Sequence, residues 1–184
     1  MVNSRIGTEN RFNKAFGTPS ERVVGKLRNT LSDAVKEFIA QSPFIVIATS
    51  NRAGECDASP KGGKPGFVRI VDDRHLVIPD VAGNKLFQSY QNMEDNPQVG
   101  VLFLIPGSND TVRVNGHVNI ISREELDRLN VDLAINNPDD NSTKLQGILV
   151  EVDEAYTHCP RAFKFAELWN VESIQRRQES LRRR

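Results

Sequence analysis

Residues 57–85 read DASPKGGKPGFVRIVDDRHLVIPDVAGNK, and the fold of the chain turns on them. Two short apolar runs, 67–71 and 75–79, have strand composition, and Asp72-Asp73-Arg74 between them is a turn signal. Paired as a hairpin, they double the chain back. The glycine- and lysine-bearing loops 59–66 and 79–85 then reach the same end of a sheet. Gly62, Gly63 and Gly83 offer open backbone N–H groups there, and Lys61, Lys64 and Lys85 offer ammonium groups. Fixed partial positive charge plus full cations is the chemistry of a phosphate site. The stretch therefore predicts a site for a phosphorylated ligand. It is not a P-loop, because Lys64 precedes Pro65 where Ser or Thr is required.

The flanking sequence extends the sheet in both directions. Strands are expected at 44–50 and 55–59 around an Asn51-Arg52-Ala53-Gly54 turn, then at 99–105, 111–121 and 145–152. In 111–121, Val112, Val114, Gly116, Val118 and Ile120 share one face, which predicts a half-buried strand with Arg113 on the other side. Thr18-Pro19-Ser20-Glu21 is a helix start, followed by helical spacing of apolar residues to about Gln41. Helices are also expected at 84–92, from the Ser122-Arg123-Glu124-Glu125 capping box to about Ile135, from Pro160 to about Leu168, and in the tail. Tight turns impose antiparallel pairing. The expectation is a mainly β, α+β fold: a small closed or split antiparallel β-barrel with peripheral helices. Residues 1–16 read as an arm, 17–170 as the single domain and 171–184 as a basic tail.

Composition bounds the function. With 184 residues there is room for one ordinary core, and 24 basic against 24 acidic side chains give no global field toward nucleic acid or membrane. No apolar run approaches the roughly 20 residues of a membrane span. The polar N-terminus lacks a signal-peptide core, and Cys56 and Cys159 have no CxxC spacing. These features predict a soluble, reduced, cytoplasmic protein. His75, His117, His158 and the cysteines lack ligand spacing, so no metal site is expected. His158-Cys159 reads as structural, Trp169 as packing, and the terminal arginines as a solvated helix end.

Taken in order, SPFIVIATS, CDASPKGGKPGFVRI, IPDVAGNK, NPQVGVLFLIPG, TVRVNGHVNI and EAYTHCPRAFKFAELW resemble the pyridoxamine 5′-phosphate oxidase-like split-barrel flavoproteins, and within them the predicted flavin-nucleotide-binding subgroup. The resemblance runs from about Phe16 to Trp169. It implies an FMN-binding homodimer with flavin between subunits, acting as an FMN-dependent oxidoreductase on a small molecule. By the same resemblance, Ser59, Lys61 and Gly62 meet the flavin, and Ile78, Pro79 and Asp80 run along its ring. Asn84 and Lys85 hold the 5′-phosphate, and Thr111 and Arg113 lie near the flavin edge. Arg161, Lys164 and Trp169 are implied as contacts from the second subunit. A non-catalytic flavin or phosphometabolite carrier, or a relative using deazaflavin or haem, is the alternative. The chain ends in ELWNVESIQRRQESLRRR, where authentic oxidases carry an aromatic- and glycine-rich segment with a substrate-gripping Arg. Oxidation of pyridoxamine phosphate is therefore not expected.

Overall fold

The computed structural model describes residues 10–83 and 85–183. Its strands are β1 (Phe44–Ser50), β2 (Cys56–Gly62), β3 (Arg69–Ile70), β4 (His75–Val81), β5 (Gln98–Leu104), β6 (Thr111–Ile121) and β7 (Lys144–His158). They form one antiparallel sheet in the order β2-β1-β5-β6-β7-β4-β3. The ladder does not close, so β2 and β3 are free edges. The sheet nevertheless curls: Ile45, Ile47, Leu76, Ile78, Val101, Phe103, Val112, Val114, Ile148 and Val150 all pack into one core. Sharing one core among five strands gives the molecule the mainly β, split-barrel character expected of it.

Seven helices lie around the sheet among the described residues: α1 (Arg11–Phe16), α2 (Glu21–Val24), α3 (Asp33–Gln41), α4 (Gln88–Asp95), α5 (Arg123–Arg128), α6 (Arg161–Phe165) and α7 (Val171–Arg182). Helix α3 buries Val35 and Ile39 in the core, and α4 adds Tyr90 and Met93. The helical spacing of 23–39 is broken in the structure. Gly25 ends α2, and the chain then turns, bridging Arg28 to Ala155 and bonding Leu31 N–H to the Asp73 carbonyl at 2.7 Å. Within the expected arm, Asn10 caps α1, which buries nothing.

Strand β3 and helix α6 are shorter than expected, and four further boundaries differ from the sequence expectation, each for a local reason. Strand β2 continues through Pro60 to Gly62, where a loop was expected; as an edge strand it tolerates a residue with no N–H. Helix α4 begins at Gln88, four residues later than expected, because Lys85 and Phe87 take φ of 63° and 53°. Helix α5 stops at Arg128 instead of continuing to Ile135. Asn130 adopts φ 53°, Asn130 N–H bonds the Asp127 carbonyl, and Val131 N–H bonds the Leu126 carbonyl, a Schellman stop with Leu126 and Val131 packed together.

Strand β7 runs to His158, past the expected end at Val152. The polar Asp153-Glu154 pair looks terminal, yet a register shift between Asn115 and Gly116 absorbs one residue, and Ala155 pairs with Val114 on the core side. Gly116 is required there, because a Cβ would lie 2.1 Å from the Glu151 carbonyl oxygen. Ile120, expected on the buried face of β6, is 36% exposed; Ile121 is buried on the opposite face, under α5.

Gly116→Ala is expected to cost about 2–3 kcal/mol by overpacking, read from urea unfolding. Gly100→Ala, whose Cβ would find its nearest neighbour at 3.4 Å, is expected to be close to neutral.

Candidate functional site

A cleft of about 530 Å³ opens where the curled sheet fails to close. Its first wall is β2. Residues 56–62 alternate exposed and half-buried, so Asp57, Ser59 and Lys61 project from one face. The second wall is the end of β4 and the turn into α4, with Pro79, Asp80, Val81, Gly83, Lys85, Phe87 and Tyr90. The third is Leu133, Ala134 and Ile135, the segment released by the early stop of α5. Buried Phe67 also lines the cleft.

Side-chain contacts hold these walls together. Lys61 Nζ meets Asp80 Oδ1 at 2.5 Å, joining β2 to β4, strands far apart in the sheet order. Both side chains are largely buried, at 16% and 13% exposure. Ser89 Oγ donates to the Asp57 carboxylate, tying α4 to β2, and Asn92 Nδ2 donates to Thr49 Oγ1 at 3.2 Å. The third wall is fixed by Lys64 N–H, which donates to the Ala134 carbonyl at 2.6 Å. Gly63 allows that approach, since a Cβ on it would sit 2.4 Å from the same oxygen.

The electrostatics favour an anion at the α4 end. No side chain caps α4, its first turn carries no acidic residue, and Leu86 to Tyr90 line the cleft. The leading N–H groups of such a helix carry partial positive charge. Lys85 is exposed at the rim. The two carboxylates of the cleft are occupied, Asp57 by Ser89 and Asp80 by Lys61. Lys85 and Phe87, both non-glycine residues in the left-handed region, hold the turn in a conformation that costs of order 1 kcal/mol or more each. Strain of that kind clusters at functional sites in proteins generally.

Of the residues singled out in the sequence, Ser59, Lys61, Gly62, Pro79, Asp80 and Lys85 line the cleft together. Ile78 is buried in the core behind it, and Asn84 lies outside the described residues. Thr111 and Arg113 sit on β6, on the outer face, where Arg113 Nη1 donates to Tyr156 OH at 3.0 Å across the strands. Arg161 and Lys164 are exposed on α6, and Trp169 stacks on Phe163 while donating to the Ser108 carbonyl. None of these last five lines the cleft of its own chain. Asp57, Phe67, Ser89, Tyr90 and the 133–135 wall were not anticipated. The alternation of Asp57, Ser59 and Lys61 was a signal for the first of them. The others depend on the curl of the sheet.

A family model described as pyridoxamine 5′-phosphate oxidase matches residues 31–159, a span that contains every strand and all three walls of the cleft. The chain belongs to this family. Solved structures share the family's fold. A provisionally named pyridoxamine 5′-phosphate oxidase from Lactobacillus delbrueckii is 16% identical, with a TM-score of 0.51 over 70% of this chain and 95% of that one. The conserved hypothetical protein Rv2991 from Mycobacterium tuberculosis is 16% identical, with a TM-score of 0.50 over 71% and 86%. A pyridoxamine 5′-phosphate oxidase-related, FMN binding protein from Nostoc punctiforme is 11% identical, with a TM-score of 0.49 over 71% and 85%. No curated protein matches the sequence. Among the described residues no helix is long and apolar enough to cross a membrane, and no group of three His, Cys, Asp or Glu is placed to hold a metal.

The third wall has a pH-sensitive anchor. Lys144 Nζ reaches Asp127 Oδ1 at 2.5 Å, Asp132 Oδ1 at 3.2 Å and the Val131 carbonyl at 2.8 Å. Its hydrogen bond to Asp127 raises the Lys144 pKa from the ordinary 10.5, and the same bond lowers that of Asp127 from 3.8. The stabilisation from Lys144 is thus present below 10.5 and lost as pH rises through its folded value. That from Asp127 is present above 3.8 and lost as pH falls through its folded value. The Tm difference between wild type and Lys144→Met is expected to hold steady near neutrality and to shrink at both extremes, as thermal melts across pH would show.

Proposed function

We propose that the chain is an FMN-binding oxidoreductase that carries the flavin in the cleft at the barrel split. One observation carries this reading: a cleft of mixed polar and apolar lining with a helix N-terminus and two lysines, built inside the span that matches the family. Its volume falls within the roughly 300–1,000 Å³ typical of small-molecule sites. The residues present fit the group. Lys85, Lys61 and the leading N–H groups of α4 would hold the phosphate, while Phe67, Pro79, Phe87 and Tyr90 would cover apolar ring surface. FMN, when bound, supplies hydride and single-electron transfer, and the protein supplies binding, orientation and electrostatics. The cytoplasm is the proposed compartment, in keeping with two free, exposed cysteines.

A second copy of the chain completes the proposal. Thr111, Arg113, Arg161, Lys164 and Trp169 do not reach their own cleft; Thr111 is buried within its own chain, and we assign the other four to contacts across a homodimer. Its interface would be the outer sheet face, where Phe44 is 38% exposed and Leu102 and Leu104 are half-buried. Light scattering is expected to give twice the chain mass; a monomer at micromolar concentration would overturn the assignment.

Purified protein is expected to be yellow and to release FMN on denaturation, identified by absorbance and mass spectrometry. Lys85→Ala should weaken FMN binding by about 10-fold or more, as expected for a charge-assisted hydrogen bond. Lys64→Ala, whose side chain is exposed and outside the cleft lining, should leave it nearly unchanged. Equal losses would remove Lys85 from the phosphate site. Rapid-mixing reduction of the bound flavin by NADH or NADPH separates an oxidoreductase from a carrier, since a carrier's flavin stays oxidised.

A further inference from the structure

The fold leaves one buried polar atom of the cleft without a partner. Tyr90, in the first turn of α4, is 7% exposed and lines the cleft. The Lys61 ammonium lies 5.8 Å from its ring centroid, and Phe87 meets the ring edge-on at 6.2 Å. Its hydroxyl is buried and makes no hydrogen bond. Asp80 and Gln146 are nearby, but neither meets the hydroxyl in hydrogen-bond geometry, and Asp80 is engaged by Lys61. Burial first, then the Asp80 charge, pushes the phenol well above its ordinary value, so the group is a neutral O–H at any physiological pH.

Native folds satisfy nearly all buried hydroxyls, because an unpaired one is destabilising. The packing explanation for a buried tyrosine accounts for its ring but not for an unpaired oxygen, and phenylalanine would serve the ring equally well. Ser89, Asp57, Lys61 and Asp80 around the same cleft all have partners, whereas this buried donor has none. Of the buried core residues, Phe67 and Tyr90 line the cleft, and of these two Tyr90 alone carries a polar side-chain atom.

We infer that Tyr90 is a ligand-binding residue whose O–H donates to an acceptor oxygen of the phosphorylated ligand, completing its hydrogen bonding only in the complex. The inference rests on the flavin reading of the cleft and adds a specific contact to it. It also orders the site. The donor is fixed by the ring's packing before the ligand arrives, so little side-chain freedom is lost on binding.

Tyr90→Phe tests this, because the two possible roles move two measurements in opposite directions. Kd values for FMN, riboflavin and inorganic phosphate are measured by titration on flavin-free wild type and variant, together with the Tm of each free protein. The expected result is about a tenfold rise in the FMN Kd, equivalent to about 1.4 kcal/mol, with the free-protein Tm unchanged or raised. A loss for FMN and phosphate but not riboflavin puts the contact on the phosphate; a loss for riboflavin as well puts it on the ribityl chain or ring. Both support the inference. Unchanged FMN affinity overturns it, as does a fall in the free-protein Tm, which would mean the hydroxyl already has a partner. If wild type binds none of the three, the flavin reading fails and takes this inference with it. Tight wild-type binding with an indifferent Tyr90→Phe overturns the inference alone.

Discussion

The cleft is spanned by a side-chain ion pair, where a closed barrel would have a backbone ladder. Lys61 and Asp80 span from β2, at one end of the strand order, to β4, near the other. A mostly buried pair of this kind adds little net stability, since desolvation offsets attraction, but losing either partner strands a charge. Its contribution is geometric: it fixes how far the split opens. Had backbone hydrogen bonds closed the same gap, the edges would lie about 5 Å apart and no ligand space would remain.

From that closure the rest of the site follows. With β2 held against β4, the N-terminus of α4 is brought to the end of β2 and secured through Ser89 and Asp57. The glycine at position 63 lets the chain after β2 run against the segment after α5, which supplies the last wall. Asp80 is neutralised by Lys61 and Asp57 keeps its charge while accepting from Ser89, and the positive end of α4 and Lys85 add positive field beside them.

Much of the fold was legible because its signals are local. Strand β6 announced itself through the alternation of Val112, Val114, Gly116 and Val118, and the 67–81 hairpin through its Asp72-Asp73-Arg74 turn. The errors fall where tertiary context outweighs local signal. Pro60 and the glycines beside it look like a loop, but an edge strand does not need every N–H. Asp153-Glu154 looks like a strand end, but the bulge at Gly116 converts that polar pair into outer-face residues bonded to His117 and Asn115. The stop of α5 hung on Asn130, one polar residue in a segment that otherwise continues plausibly as helix. At the site, the loops that bring Lys61, Gly62, Gly83 and Lys85 to one cleft were legible from their composition. Tyr90 and the 133–135 wall were not, because an ordinary helix residue and an ordinary apolar triplet acquire meaning only when the sheet curls.

That last wall differs in kind from the other two. Leu133, Ala134 and Ile135 belong to no strand or helix, and their attachment to the framework runs through the Ala134 carbonyl and the Lys144 anchor just upstream. Ala134 packs on the core, but Leu133 and Ile135 on either side of it are outside both core clusters and can be exchanged without disturbing barrel register. Selection acting on molecular preference therefore has a surface it can rewrite cheaply, which lets descendants of one scaffold diverge in what they accept while the barrel itself stays constant.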